Sequence, residues 1–319
     1  MLVLHGTETA EALKWDELTN AIERMFRSHC VTPVRHHHEV EVPGEAAATL
    51  LLMPAWVPGD YIGIKLLSVF PDNHLRGLPA IYGSYLLSSG KTGKMLAVVD
   101  GGELTARRTA ATSALAAGYL AREDASQLLV VGTGRLSLNL IQAHSTMRPI
   151  KSVRIWGRNP ANAEKTAADA REMGFDATAC TDLEAATREA DIISCATLSN
   201  EPLVHGKWLK PGAHLDLIGA FKPTMRESDD EAVRRATIFV DTREGAMSEA
   251  GDILQPLKAG IIRETDIKAD LFDLAAGRHR GRTANHEITL FKSVGAALED
   301  LAGAILAYEA VTTRFKTET

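Results

Sequence analysis

Cysteine is scarce: among 319 residues only Cys30, Cys180 and Cys195 occur, and no two stand as Cys-x-x-Cys. That excludes a disulfide framework, offers no paired ligands to a structural zinc, and fits a reducing cytosol. An excess of positive charge is missing too. Lys and Arg number 35 against 41 Asp and Glu, a net charge of −6, which gives no electrostatic basis for binding nucleic acid. The N-terminus has no basic stretch leading into an apolar signal segment, and no apolar run reaches the ~20 residues that span a bilayer. Repeats and low-complexity linkers are also absent. These absences predict a cytoplasmic protein with neither nucleic acid nor membrane among its partners.

What is present is ordinary for a globular chain with room for two domains, 45% hydrophobic and 24% charged. Leu18, Ile22, Met25 and Phe26 recur at helical spacing behind Asp16 as N-cap, predicting an amphipathic helix over residues 16–29. Residues 48–53, 61–69, 80–87 and 95–99 are short apolar or alternating runs divided by Gly, Pro, Asp and Asn, and read as strands, with 88–93 as a hairpin loop. A long alanine-rich helix is expected over 104–122. Strands near 128–131, 152–156, 176–180, 191–195, 213–218 and 237–240 then alternate with helices near 135–146, 160–173, 182–189 and 227–235. That alternation predicts a doubly wound parallel α/β sheet. A strand at 287–291 and a helix over 293–311 close the chain. The expected organisation is discontinuous: an α+β part made of 1–116 and 294–319, and a nucleotide-binding domain over 117–293. A ligand is expected at the carboxyl ends of the parallel strands.

The run Leu128-Leu129-Val130-Val131-Gly132-Thr133-Gly134 is a buried strand entering a glycine turn. Such glycines let backbone N–H groups approach a pyrophosphate at a helix N-terminus, and Ser137 is small enough for the third glycine position. The next strand ends in Gly157-Arg158-Asn159, where NAD-binding chains commonly carry Asp or Glu for the ribose hydroxyls. A guanidinium without a neighbouring carboxylate suits a 2′-phosphate, which favours NADP(H) over NAD(H). The alternative is that Arg158 is a solvated loop residue.

Three cations come from separate elements: Arg35, Lys65 within an apolar strand, and Arg108 at the start of a largely uncharged helix. Converging, they would form an anion pocket beside the cofactor; otherwise they are surface charges or internal ion pairs. His36-His37-His38 does not make a metal site, because successive strand residues point to opposite faces. Asp229-Asp230-Glu231 reads as a solvated helix start, and Cys195 as core.

The string Thr105-Ala106-Arg107-Arg108-Thr109-Ala110-Ala111-Thr112-Ser113-Ala114 resembles the signature helix of the ornithine cyclodeaminase/mu-crystallin family. Val131-Gly132-Thr133-Gly134, the segment 153–159, Lys210-Pro211-Gly212-Ala213-His214-Leu215 and the segment 288–295 resemble further motifs of that family, in its order over nearly the whole chain. The resemblance implies a Rossmann domain joined to a substrate-binding domain that dimerises, acting with NAD(P)(H) on amino or imino acids. By motif, Arg35, Lys65 and Arg108 match the family's clamp on the substrate carboxylate. Arg108, Thr109 and Thr112 fall near the nicotinamide and phosphates. Gly132, Thr133, Gly134, Arg135 and Leu136 match the phosphate turn, and Gly157, Arg158, Asn159 and Asn162 the adenosine ribose. Thr197 and Leu198 match the loop after the fourth strand, Ile218 and Gly219 a loop near the nicotinamide, Ser293 the nicotinamide side, and Glu249 an acid close to the ligand.

Two positions depart from the pattern. Leu136 stands where many members carry Gln, so a phosphate contact there must use the backbone. Phe221 stands where deaminating members and alanine dehydrogenases carry Asp, and a phenyl ring cannot manage protons on a leaving amine. The stretch Gly219-Ala220-Phe221-Lys222-Pro223-Thr224-Met225-Arg226-Glu227 is instead similar to the branch that reduces cyclic imines. The expectation is therefore an NADPH-dependent homodimeric ketimine reductase, with NADH as alternative cofactor, reducing Δ1-pyrroline-2-carboxylate and also Δ1-piperideine-2-carboxylate. The alternatives are an ornithine cyclodeaminase, an amino acid dehydrogenase, or a non-catalytic NADPH-dependent binding protein.

Overall fold

The structure, a computed structural model, describes residues 1–317. It opens with β1 (Leu2–Leu4), α1 (Gly6–Ala12) and α2 (Trp15–Arg27). Helix α2 buries Leu18, Ala21, Ile22, Met25 and Phe26 along one face, as the spacing requires. Lys14, not Asp16, is its N-cap; Asp16 and Glu17 lie in the first turn, where the helix dipole favours acids. Strands β2 (His36–Val40), β3 (Ala48–Val57), β4 (Tyr61–Val69), β5 (Ile81–Ser89) and β6 (Met95–Asp100) follow. With β1 they form a six-stranded sheet in the order β1-β6-β5-β4-β3-β2. Only the β1–β6 pair is parallel. Helix α3 (Gly101–Leu120) begins before the expected residue 104 because the Asp100 carboxylate accepts the Glu103 N–H at 2.7 Å and fixes the turn.

The remainder alternates: β7 (Gln127–Val131), α4 (Leu136–Met147), β8 (Ser152–Trp156), α5 (Pro160–Glu172), β9 (Ala177–Cys180), α6 (Leu183–Glu189), β10 (Ile192–Cys195), β11 (His214–Leu217), α7 (Asp230–Arg235), β12 (Thr237–Val240), α8 (Arg243–Glu249), α9 (Gly251–Lys258), β13 (Ile267–Asp270), α10 (Leu271–Ala275), β14 (Thr289–Lys292) and α11 (Ala297–Thr317). The eight strands from β7 to β14 pair in parallel in the order β13-β12-β14-β11-β10-β7-β8-β9. This is the doubly wound sheet of a Rossmann domain. Its central strands are buried on both faces; β7 reads as an apolar run, whereas β11 and β14 also bury His214, Asp216, Thr289 and Lys292.

Several elements differ from expectation. β1, α1, α8, α9, β13 and α10 lie outside the expected elements. The helix expected over 227–235 starts only at Asp230, because the Asp229 carboxylate caps it through the Ala232 N–H. The helix expected from 293 starts at Ala297, because Asp241 Oδ2 gathers the Ser293 hydroxyl and the N–H groups of Val294 and Gly295. The chain divides into one unit of Met1–Arg108 with the segment from Ala296 onward, and another of Thr109–Gly295, rather than after residues 116 and 293. In the first unit α11 packs on β3, β4 and β5. Among the described residues no helix is long and apolar enough to cross a membrane.

Candidate functional site

In the second unit the sheet's order turns back between β7 and β10, the place where open parallel sheets hold ligands beyond the strands' carboxyl ends. Gly132 leaves β7 with φ +129°, and a Cβ there would lie 2.7 Å from the Ala196 carbonyl oxygen, so the position demands glycine. A Cβ on Gly134 would meet nothing within 4 Å, which leaves that face of the turn open to a ligand. Ser137 is buried and its hydroxyl donates to the Gly132 carbonyl at 3.0 Å, which braces the turn from the third small-residue position. These are the features a pyrophosphate needs.

Beside the turn lies a cavity of about 260 Å³ lined by Gly132, Thr133, Gly157, Arg158, Asn159 and Asn162, with Thr197 and Leu198 from the loop after β10. A second cavity, of about 320 Å³, shares Thr133 and Asn162 and adds Gly134, Arg135 and Lys165. Asn159 uses its side-chain oxygen to cap α5 through the Ala161 N–H at 2.9 Å. Leu136 opens α4 and is absent from both linings.

In the first unit Lys65 sits on β4, in register with Met53 of β3 and Tyr85 of β5, and is only 2% exposed. Its Nζ donates to Asp300 Oδ2 at 2.7 Å. Arg108 donates from Nε to Asp300 Oδ1 at 3.0 Å and from Nη1 to Glu299 Oε2 at 2.7 Å. Lys65 and Arg108 therefore converge, and they do so as internal ion pairs. Arg35, half-buried before β2, is close enough to act on Lys65. Burial pushes Lys65 down to about 8, Arg108 and Arg35 add to the shift, and Asp300 opposes it. For Arg108, burial would lower the pKa, but Asp300 and Glu299 outweigh it. For Asp300, burial would raise it, but Arg108 and Lys65 hold it below the usual carboxylate range.

Glu299 and Asp300 were not among the expected site residues. They lie in the first turn of α11, where the helix dipole favours acids. Their signal is two adjacent carboxylates at the head of a helix whose next residues, 301–307, are apolar, the counterpart of a lysine in an apolar strand.

The remaining expected residues are distributed as follows. Thr109 and Thr112 lie on α3 within the second unit, Thr112 buried. Glu249 ends α8, half-buried. The Ser293 hydroxyl is not turned outward; it donates to Asp241 at 2.9 Å. Ile218 is buried, and its N–H donates to the Cys195 carbonyl. Gly219 donates its N–H to Glu227 Oε2 at 2.8 Å, and Thr197 donates its N–H to the same residue's Oε1 at 2.7 Å. Glu227 is thus, with Glu299 and Asp300, a buried acid outside the expected site residues. Phe221 is 40% exposed, with Lys222 Nζ 5.8 Å from its ring centre. His36, His37 and His38 lie on an exposed strand.

Residues 1–314 match the ornithine cyclodeaminase/mu-crystallin family. The chain is 41% identical over 315 residues to Protein SAR DEFICIENT 4 of Arabidopsis thaliana, covering 95% of each. It is 37% identical over 290 residues to a Δ1-pyrroline-2-carboxylate reductase of Paracoccus denitrificans, covering 91% of this chain and 90% of that one. The solved Δ1-pyrroline-2-carboxylate reductase of Thermococcus litoralis, in complex with NADH and L-proline, matches with a TM-score of 0.91 and 35% identity over 98% of each chain. An archaeal alanine dehydrogenase dimer with bound NAD matches with a TM-score of 0.89 and 31% identity, over 98% of this chain and 97% of that one. On the family match and these identities over nearly its full length, the chain belongs to the ornithine cyclodeaminase/mu-crystallin family.

Proposed function

We propose that this protein is an NADPH-dependent reductase of small cyclic imino acids, converting Δ1-pyrroline-2-carboxylate to L-proline and Δ1-piperideine-2-carboxylate to L-pipecolate. The observation that carries the reading is the buried meeting of Lys65 and Arg108 on Asp300, with Arg35 close by. Cations held rigidly by buried acids are preorganised to receive a carboxylate, at little cost in side-chain ordering when it arrives. The relative from Thermococcus litoralis, solved with NADH and L-proline, supports both the cofactor class and the substrate class.

The glycine turn and its cavities fit a dinucleotide, and a reduced nicotinamide bound there would supply the hydride for the C=N carbon. Gly132, Thr133, Gly134, Arg135 and the Leu136 backbone would hold the pyrophosphate. Arg158 would take the 2′-phosphate, since the end of β8 offers no carboxylate to repel it. Arg35, Lys65 and Arg108 would fix the substrate carboxylate, and so the orientation of its ring. As the carbon is reduced, the nitrogen takes one proton. Lys65, still protonated at neutral pH, is the proposed donor and regains the proton from water; Glu249 is the second candidate. Phe221 favours reduction over deamination, because no carboxylate occupies that place.

A homodimer is proposed as the working assembly. Exposed Val34, Leu75, Leu78, Ile81 and Tyr82 of the first unit support it, as does the dimeric alanine dehydrogenase relative. Steady-state kinetics with five- and six-membered cyclic imines and both reduced cofactors test the reading. NADPH oxidation matched by proline or pipecolate formation is expected. Ammonia release from ornithine without net NADPH oxidation would replace it with the cyclodeaminase reading.

A further inference from the structure

The second unit contains a buried charge cluster to which the proposed chemistry gives no role. Glu227, between β11 and α7, is fully buried. Its Oε1 accepts the backbone N–H of Thr197 at 2.7 Å and the Thr197 hydroxyl at 2.8 Å. Its Oε2 accepts the N–H groups of Gly219 at 2.8 Å and Ala220 at 3.2 Å. One carboxylate therefore spans the loop after β10 and the loop after β11. The loops also touch, since a Cβ on Gly219 would fall 2.0 Å from the Thr197 carbonyl oxygen. Behind Glu227, Asp252 near the start of α9 accepts the N–H groups of Glu227 and Ser228 through Oδ1, and Lys292 Nζ lies 3.2 Å from its Oδ2. The titratable groups facing Glu227 are thus Asp252 from α9, Lys292 from β14 and the Cys195 thiol from β10.

We infer that Glu227 is a positioning residue for the dinucleotide: ionised, it sets the spacing between the loop after β10, which lines the cavity beside the glycine turn, and the loop after β11. The inference rests on the cofactor reading proposed above. Both oxygens of an ionised carboxylate accept hydrogen bonds, and here both are used. A protonated or amide group puts a donor on one side, against an N–H that then has no acceptor in a buried place. Burial pushes Glu227 up to about 7; Asp252 adds to the rise and Lys292 opposes it. The sign follows: above that value the acid is ionised and the loops are held, and as pH falls through it the acid takes a proton and cofactor affinity drops.

The test titrates wild type and Glu227→Gln with NADH and with NADPH at pH 8 and pH 6, following nicotinamide fluorescence, with circular dichroism as the folding control. NADH carries no 2′-phosphate, which itself titrates near pH 6. Wild-type Kd is expected to rise roughly tenfold on going to pH 6. The Gln variant is expected to bind NADH roughly tenfold more weakly than wild type at pH 8, with little further change at pH 6. A wild-type NADH affinity equal at both pH values overturns the inference, and so does a folded Gln variant with wild-type affinity. If the Gln variant fails to fold, the wild-type arm decides alone. Wild type that binds neither cofactor at either pH refutes the cofactor reading itself, an outcome distinct from pH-independent binding.

Discussion

In the first unit two cations share one carboxylate, and a second carboxylate completes the set: Lys65 and Arg108 both reach Asp300, and Arg108 also reaches Glu299. In the second unit one carboxylate, Glu227, is met by four donors, three of them backbone N–H groups. The difference separates two ways of building a site. Side-chain charges, fixed by partners on a helix start, present a field that a substrate can exploit. Backbone donors, fixed by strand ends, present a shape. Damage to the first should remove chemistry and leave cofactor binding, and damage to the second should do the reverse.

The largest effect is expected at the first cluster. Lys65→Met should lower kcat/KM for the cyclic imine by about a thousandfold or more while cofactor Kd stays within about twofold. Arg108→Ala should do the same and also take from buried Glu299 its guanidinium partner and leave Asp300 with Lys65, a destabilisation of about 3 kcal/mol visible in urea unfolding. Near-normal turnover in both variants would break the comparison on its first side. The second side is sharpened by Gly132→Ala, which forces a Cβ into φ +129° and against the Ala196 carbonyl. Cofactor affinity should fall about a hundredfold, with the Lys65 cluster untouched. Retained affinity in that variant would show that the turn does not bind the dinucleotide.

Smaller effects are expected from titration and from the ribose contact. Lys65 loses its charge as pH rises through about 8, so imine kcat/KM should fall about tenfold per pH unit above that value. A profile flat to pH 10 would remove Lys65 from both clamp and proton delivery. Arg158→Ala should weaken NADPH about tenfold and leave NADH nearly unchanged, since one charge-assisted phosphate contact is lost. Equal losses for both cofactors would assign Arg158 to the shared part of the dinucleotide.

Much of this architecture is legible in the sequence. Strands that bury both faces, such as β7 and β10, announce themselves as apolar runs. The glycine turn follows from the apolar run Leu128–Val131 entering Gly132-Thr133-Gly134. Lys65 stood out because a charge in an apolar strand needs a partner. The partner itself was not legible: Asp300 lies 235 residues away in sequence and carries no periodic signal. Glu227 was hidden for another reason. Its partners are mainly backbone N–H groups, which every residue has, so no residue type marks them. The late start of α11 had the same cause, Asp241 gathering two N–H groups and a hydroxyl. Short elements such as α8, α9 and α10 are too brief for periodicity to distinguish them from loops.

The fixed cations of the first unit are proposed to act on a substrate carboxylate. The direct measurement compares NADPH oxidation by the wild-type protein with Δ1-pyrroline-2-carboxylate and with Δ1-pyrroline, which has the same ring and imine but no carboxylate. Rapid turnover of the acid is expected, with a kcat/KM at least about a hundredfold lower for the carboxylate-free ring. Equal kcat/KM for the two compounds would contradict it.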